Sequence, residues 1–213
     1  MGAGSRPAGH LAAARIGKRA TRCCPRNPGN RADVDAGVTE QQRYRVIDTR
    51  GDVEVREYAP CVVADIVVAG SVEQAGNTAF RPLVSYISKA SLAMTAPVIQ
   101  QAAGEERWTV SFVLPGDHDV VDYPDPTDPR VTLRAVPVER AAALRWSGRW
   151  SASNVAARTL ELEQAIADAG WVASGPVRWA RFDPPWKPAF ARRNEIVVPV
   201  RASGDTENEP TVA

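Results

Sequence analysis

The segment Asp183-Pro-Pro-Trp186-Lys187-Pro188-Ala-Phe190-Ala-Arg192-Arg193-Asn194-Glu195-Ile196-Val-Val-Pro199 joins a proline-rich aromatic loop to a β-branched strand. Proline fixes φ and has no backbone N–H, so the prolines favour an open loop that pairs with no strand. A rigid loop carrying Trp186, Lys187 and Phe190 can present a flat apolar surface beside a cation. Such a surface suits a planar, apolar ligand that carries acidic groups.

On both sides of this loop, alternating apolar residues predict a series of strands. A hairpin is expected from residues 44–48 and 53–58, followed by strands near 61–68, 92–101 and 108–114. The second half of the chain predicts strands at 131–136, 141–146, 177–182 and 194–200. The chain is therefore expected to form a largely antiparallel sheet.

Each half of the chain also contains one segment with helical spacing. The first begins at Ser71, where Gln74 predicts a capping box, and its apolar positions are Val72, Ala75, Ala79, Leu83 and Ile87. Pro82 should kink this helix or loosen one turn. The second begins at Ser153 and ends before Gly170, with apolar positions at Val155, Leu162, Ile166 and Ala169.

The two halves can be laid over one another. The matches are Val53 and Gly70 opposite Val131 and Gly148, Pro97-Val98 opposite Pro176-Val177, and 113–115 opposite 197–199. The proline-rich segment 124–129 would be the extended tether between them. The fold class is predicted as α+β: duplicated ββαββ units share one antiparallel sheet or distorted β-barrel, with both helices packed against it.

Charge and composition divide the chain into three parts. Residues 1–42 form a basic tail, predicted to be disordered, with a targeting role as the alternative. Residues 43–201 form the domain, and residues 202–213 a second disordered tail. Because the net charge is +1 and all charged residues up to 32 are basic, the remainder is acidic, which argues against nucleic-acid binding. No apolar run is long enough to span a membrane, and a cytoplasmic location is expected.

Motifs for catalysis or metal binding are not found in the sequence. The histidines are His10 and His118, and the cysteines Cys23, Cys24 and Cys61 have no pairing or zinc-ligand spacing. Three carboxylates could still face one cavity: Glu54, Glu57 and Glu195. An enzyme that acts on a hydrophobic substrate through Glu57 or Glu195 therefore stays as a lesser alternative.

Several motifs, in one order along the chain, resemble the SOUL or haem-binding protein family. They are Glu54-Val-Arg-Glu-Tyr58, Ala79-Phe80…Tyr86-Ile87, Met94-Thr-Ala-Pro-Val98, Ser147-Gly148, and Asp183-Pro-Pro-Trp-Lys187-Pro…Arg192-Arg-Asn-Glu195. The resemblance covers residues 44–200. It implies a duplicated α+β barrel that binds haem or other tetrapyrroles in a shallow hydrophobic cleft, walled by the first helix and the loop before the last strand.

The resemblance also assigns residues to the two walls of that cleft. The expected cofactor-binding residues are Phe80, Arg81, Leu83 and Val84 on the helix, and Phe182, Trp186, Lys187 and Phe190 on the loop. For Leu83, as for Ile87, the helical spacing favours packing in the core. Lys187 matches a family lysine suited to a porphyrin propionate, with Arg81 and Arg192 as further partners. Two departures from the family pattern affect how the ligand would be held. Glu57 occupies the position of a proposed axial histidine, and Asn77 and Ser85 replace basic helix residues of one subgroup.

The sequence therefore favours non-enzymatic binding of a small-molecule tetrapyrrole, as a carrier, buffer or sensor. The cofactor would be b-type haem held without a strong protein axial ligand, or another tetrapyrrole. The alternative outside this class is a general small-molecule effector-binding module. No protein partner is predicted.

Overall fold

Alternating strand-forming residues place twelve β-strands in the computed structural model, which describes residues 39–204. The strands are Glu40–Gln41 (β1), Tyr44–Arg50 (β2), Val53–Tyr58 (β3), Cys61–Ala69 (β4), Thr95–Ala96 (β5), Val98–Ala102 (β6), Arg107–Val113 (β7), Val131–Val136 (β8), Glu139–Ser147 (β9), Trp171–Ala173 (β10), Arg178–Arg181 (β11) and Arg193–Ala202 (β12). The two α-helices are Val72–Lys89 (α1) and Ala152–Asp168 (α2), and short 3₁₀ turns cover Val120–Asp122 and Ala189–Ala191.

Ten of these strands form one antiparallel sheet that curls into a half-barrel. Its order is β2-β3-β9-β12-β11-β6-β7-β4-β8, and β10 adds to β12 at one end of that strand. Moving outward from the central β6–β11 pair, β7 matches β12, β4 matches β9, and β8 matches β3. Two β-β-α-β-β units therefore occupy equivalent positions, and the predicted α+β class with two packed helices is confirmed. Whether their sequences share an origin stays a prediction.

Both helices pack on the same face of the sheet, each against the strands of its own unit. α1 contacts β4, β7 and β8, while α2 contacts β9, β10 and β12. Leu83 and Ile87 bury the apolar stripe of α1, and Leu162 and Ile166 bury that of α2. Burial of each such side chain contributes about 1.5–3 kcal/mol, so the helical spacing read from the sequence is what fixes the helices to the sheet.

The starts of both helices differ from prediction. Ser71 precedes α1, but its side chain makes no capping hydrogen bond, so the predicted capping box is wrong. Instead, the Glu73 carboxylate accepts the backbone N–H of Ala152 at 2.9 Å, which ties the start of α1 to that of α2. The N-cap of α2 is Ser151 rather than Ser153. Since a carboxylate from a neighbouring helix supplies the acceptor, local sequence could not reveal it.

Other elements follow the sequence with small changes. α1 continues through Pro82. The strand predicted over 92–101 is divided by a cis Ala96–Pro97 bond into β5 and β6, and β5 pairs in parallel with β1. Gly170 follows α2 with a φ of 73°, a left-handed conformation that glycine adopts without strain, as expected for a helix stop.

The structure can be compared with the predicted domain boundaries near the two ends of the chain. The Gln42 N–H donates to Ala96 O at 3.1 Å, so residues 40–42, predicted from the sequence to belong to the tail, bond to the domain. Residues 1–38, with His10, Cys23 and Cys24, and residues 205–213 lie outside the described residues. Within residues 39–204, no helix combines the length and apolar content needed to cross a membrane.

Candidate functional site

Polar contacts around Asp183 fix the proline-rich loop between β11 and β12. One Asp183 oxygen accepts the Arg193 backbone N–H at 2.6 Å, and the other accepts the Lys187 ammonium at 2.6 Å. Partial burial opposes ionisation, but these donors hold the pKa of Asp183 below its usual value. The carboxylate therefore joins both ends of the loop.

Arg192 braces the same loop from within. Its Nε donates to Lys187 O at 2.7 Å, and a terminal nitrogen donates to Pro185 O. Arg192 is thus a structural brace rather than the free cation suggested by its reach. The loop it stabilises turns two aromatic rings to solvent, since Trp186 is 83% exposed and Phe190 is 82% exposed.

The predicted residues of α1 divide between surface and core. Phe80 is 44% exposed and packs edge-on against Phe112, with ring centroids 5.7 Å apart. Arg81 is exposed and Val84 is half-buried. Leu83 is completely buried, so it supports the surface from below instead of contacting a ligand. Its burial agrees with the core packing that the helical spacing favoured for this position.

Strand register brings the helix and the loop to one end of the sheet. Phe112, Val98 and Arg181 form a row across β7, β6 and β11, and the loop starts directly after Arg181. Neighbouring strands lie about 4.8 Å apart, so the row places Phe112 roughly 10 Å from Arg181. Phe80, which covers Phe112, therefore lies at the same sheet end as the Trp186 loop.

A glycine in α1 allows the Arg181 side chain to lie between helix and sheet. A Cβ at Gly76 would come within 1.6 Å of an Arg181 terminal nitrogen. The guanidinium also lies over the Trp150 ring at 5.3 Å, and burial lowers the pKa of Arg181. This contact holds the start of α1 over β11, next to the loop.

Phe182 lies apart from the other predicted wall residues. The Arg193 guanidinium stacks on its ring at 3.8 Å, and the ring borders a small cavity that also contacts Tyr44, Tyr58 and Glu195. Four of the eight predicted residues are therefore exposed at this sheet end, namely Phe80, Arg81, Trp186 and Phe190. We call these four side chains, together with the half-buried Val84 and Lys187, the aromatic end patch.

The carboxylates considered for catalysis form ion pairs, and they lie on different faces of the sheet. Glu195, 1% exposed, accepts hydrogen bonds from Arg56 at 2.7 and 3.3 Å and from Arg193 at 2.7 and 2.9 Å. The Glu57 carboxylate accepts a hydrogen bond from Arg45 at 2.8 Å. This hydrogen bond and the positive charge of Arg45 together hold the pKa of Glu57 below its usual value. Because neighbours along β3 alternate, Glu57 and Arg56 point to opposite faces. The expectation that Glu54, Glu57 and Glu195 face one cavity is thus wrong for Glu57.

Two further cavities were not anticipated from the sequence. One, of about 540 Å³, is an apolar groove between the start of α1 and α2, bordered by Trp108, Trp179 and Leu160. The other, of about 260 Å³, lies on the helix-free face of the sheet and is partly polar. Asp65, an acid within the apolar run 61–68, was the signal in the sequence that could have pointed to the second cavity.

The side chains of the aromatic end patch are suited to contact a tetrapyrrole ring but not to ligate its iron. The patch offers aromatic faces and two cations, and none of its side chains is a histidine, cysteine, methionine or tyrosine. Within residues 39–204, no group of three or more metal-binding side chains lies together. His118 stacks edge-on with Tyr123, at 5.9 Å between ring centroids, in the loop after β7.

The exposed aromatic side chains, on a loop held at one end of a curled α+β sheet, mark an interaction surface. A family model described as SOUL heme-binding protein matches residues 39–199. The chain therefore belongs to the SOUL haem-binding protein family. No curated protein matches the chain.

Solved structures share the fold at low sequence identity. The EcmrR C-terminal domain is 17% identical, with a TM-score of 0.55, over 70% of this chain and 97% of that one. EcmrR in its cryo-EM DNA complex is 15% identical, with a TM-score of 0.57, over 70% of this chain and 57% of that one. A Listeria innocua protein described as a hydrolase is 12% identical, with a TM-score of 0.53, over 71% and 93%.

Proposed function

We propose that the protein binds haem or another tetrapyrrole, without catalysis, at the aromatic end patch. The observation that carries the proposal is the exposure of Trp186 and Phe190, 83% and 82%, on a loop held by hydrogen bonds. Exposed aromatic side chains that cluster on a fixed surface mark interaction sites. Family membership supplies the ligand class, because the matching model describes haem-binding proteins.

Apolar burial would provide most of the affinity. A flat ring that covers the exposed faces of Trp186 and Phe190 removes them from water at roughly 25 cal/mol per Å² of apolar surface, before the costs of association. The loop is already ordered by Asp183 and Arg192, so little conformational entropy would be lost on binding.

Cations at the rim would orient the ligand through its propionates. Arg81 is exposed on α1, and among residues 39–204 its side chain forms no hydrogen bond, ion pair or ring contact. Lys187 is 38% exposed and already pairs with Asp183, so it would share its ammonium between the loop and a propionate. We therefore infer that Arg81 contributes at least as much as Lys187.

Absorbance and tryptophan-fluorescence titrations of the full chain with hemin and with metal-free protoporphyrin test the proposal. Both rings are expected to bind one-to-one with similar affinity, because the side chains of the patch contact the porphyrin ring and do not ligate the iron. Trp186→Ala together with Phe190→Ala should weaken both by at least about tenfold, and Arg81→Ala by roughly three- to tenfold. Lys187→Ala should weaken binding by no more than Arg81→Ala does. Lys89→Ala, which removes a lysine of α1 outside the aromatic end patch, is the matched control and should change nothing.

The apolar groove between the helices is the competing location on this protein. Leu160, 65% exposed at the groove, can be changed to Glu to place a charge there. Retained affinity in Leu160→Glu, with loss in the Trp186 and Phe190 variant, favours the end patch. The reverse result moves the site to the groove, and no saturable binding of either ring contradicts tetrapyrrole binding itself.

A further inference from the structure

The helix-free face of the sheet carries a cavity that the proposed function does not use. The cavity measures about 260 Å³, and its lining residues include Asp65, Gln101, Thr109, Ser111 and Arg134. Cross-strand pairing places Asp65 beside Ser111, and Thr109 beside Gln101. These side chains share one face of β4, β7 and β6 because residues two apart in a strand point the same way.

Asp65 is a buried acid with half of its hydrogen bonding missing. The residue is 7% exposed, and one oxygen accepts the Arg134 Nε–H at 2.8 Å. The other oxygen, Oδ1, is buried and has no hydrogen-bond partner among residues 39–204. A buried carboxylate oxygen without a donor is costly, so a donor that reaches it after a small rotation of the Asp65 side chain towards the cavity would be stabilising.

The other polar groups around the cavity also have unused hydrogen-bonding capacity. Within the described part of the chain, no hydrogen bond to the side chains of Gln101, Thr109 or Ser111 is recorded, and Arg134 bonds only through Nε. A cavity of about 260 Å³ holds roughly eight or nine waters at about 30 Å³ each, so a small molecule fits as well. It is below the usual volume of a drug-sized pocket, which limits the ligand to about one ring.

Charge balance indicates that the ligand is neutral. Asp65 pairs with Arg134, and Arg178, the other charged lining residue, pairs with both oxygens of Glu139 at 3.0 and 2.8 Å. A charged ligand would leave one charge in the cavity without a partner. The unused oxygen of Asp65 and the terminal nitrogens of Arg134 form an acceptor beside a donor, whose complement is an N–H beside a C=O.

We propose that this cavity is a second ligand site, for a neutral one-ring molecule with an amide-type edge, such as a pyrimidine lactam or an aromatic carboxamide. After a small rotation of the Asp65 side chain, the N–H would donate to Asp65 Oδ1 and the C=O would accept from Arg134. Val63, Ile99 and Val136 supply apolar walls for the ring. The site lies across the sheet from the helices and is independent of tetrapyrrole binding.

Two-dimensional ¹H–¹⁵N NMR of the full chain, titrated with uracil and with nicotinamide, tests the proposal. Saturable shifts at Asp65, Thr109 and Ser111 are expected with dissociation constants near about 1 mM, as suits ligands of this size. 1,3-Dimethyluracil, which has the same ring without N–H donors, should produce none.

Variants distinguish recognition at Asp65 from incidental binding. In Asp65→Asn, the side-chain oxygen accepts from Arg134, so the NH₂ takes the place of Oδ1 and presents a donor where the ligand needs an acceptor; affinity should fall at least tenfold. Ser111→Ala, a smaller change for the fold, should weaken binding severalfold, while Lys187→Ala should leave it unchanged. Equal binding of 1,3-dimethyluracil, no effect of both cavity variants, or no saturable shift with either probe would overturn the proposal.

Discussion

Among single residues, Arg56 has the largest predicted effect on stability. It is 3% exposed and donates to Glu195, to Glu54 at 2.8 Å and to Tyr58 Oη at 3.1 Å. Burial lowers the pKa of Arg56. The electrostatic interactions with Tyr58 and Glu195 raise it by more, so the pKa of Arg56 lies above its usual value. Loss of one partner from a buried ion pair costs about 3–5 kcal/mol, because the other charge is left without compensation.

Arg56→Met should therefore lower the free energy of unfolding by about 3–5 kcal/mol, measured by urea denaturation. Arg56→Met combined with Glu195→Leu removes both charges and should be more stable than Arg56→Met alone. Equal stability of the single and double variants would show that the Glu195 carboxylate is satisfied by Arg193 and does not depend on Arg56.

Tyr58 provides an alkaline pH dependence at the same site. Burial raises the pKa of Tyr58 to about 12, against about 10 for an exposed tyrosine. Above about pH 10 the unfolded chain releases this proton and the folded chain keeps it, so stability falls as pH rises from about 10 towards 12. The contribution lost is at most about 2–3 kcal/mol.

The comparison between wild type and Tyr58→Phe isolates this effect. Tyr58→Phe should be less stable near neutral pH by about 1 kcal/mol, for the lost hydrogen bond with Arg56, and should lose less stability between about pH 9 and 11. Thermal denaturation across this pH range measures both differences. Parallel curves for the two proteins would show that Tyr58 titrates normally in the fold.

At the scale of elements, Asp183 determines the order of the aromatic loop. Asp183→Ala removes the acceptor for Lys187 and for the Arg193 backbone, and should increase hydrogen exchange at the amides of Lys187, Ala191 and Arg192. It should also weaken porphyrin binding at the aromatic end patch, since an unfixed loop loses entropy on binding. Asp168→Ala, an exposed carboxylate at the end of α2, is the control. Unchanged exchange would mean that the prolines alone hold the loop.

Local pattern predicted most elements because each depends on its own residues. The hairpin 44–58, the helix over 72–89 and the strand 131–136 follow from alternation or helical spacing that the structure reproduces. Features that depend on distant partners were not predictable. They include the Glu73 bond to Ala152 and the parallel pairing of β1 with β5. The cavity at Asp65 belongs to this group, since it requires register across three strands.

At the scale of the whole molecule, strand exchange makes the two halves mutually dependent. β3, from the first half, pairs along its length with β9 of the second, while β8 of the second half pairs with β4 of the first. The central β6–β11 pair also joins the halves. A separated half would thus expose the apolar edge of its sheet and lose the partner of its first strand.

Fragments 1–127 and 128–213, cut within the proline-rich connection, should each be unfolded alone. Mixed together, they should recover the far-ultraviolet circular dichroism and the dispersed NMR spectrum of the intact chain, because all strand pairs can then form. The intact protein carrying a protease site at the same position, folded first and then cleaved, should stay folded and serves as the control. A dispersed spectrum from either fragment alone would contradict this dependence and show that one β-β-α-β-β unit is stable without its partner.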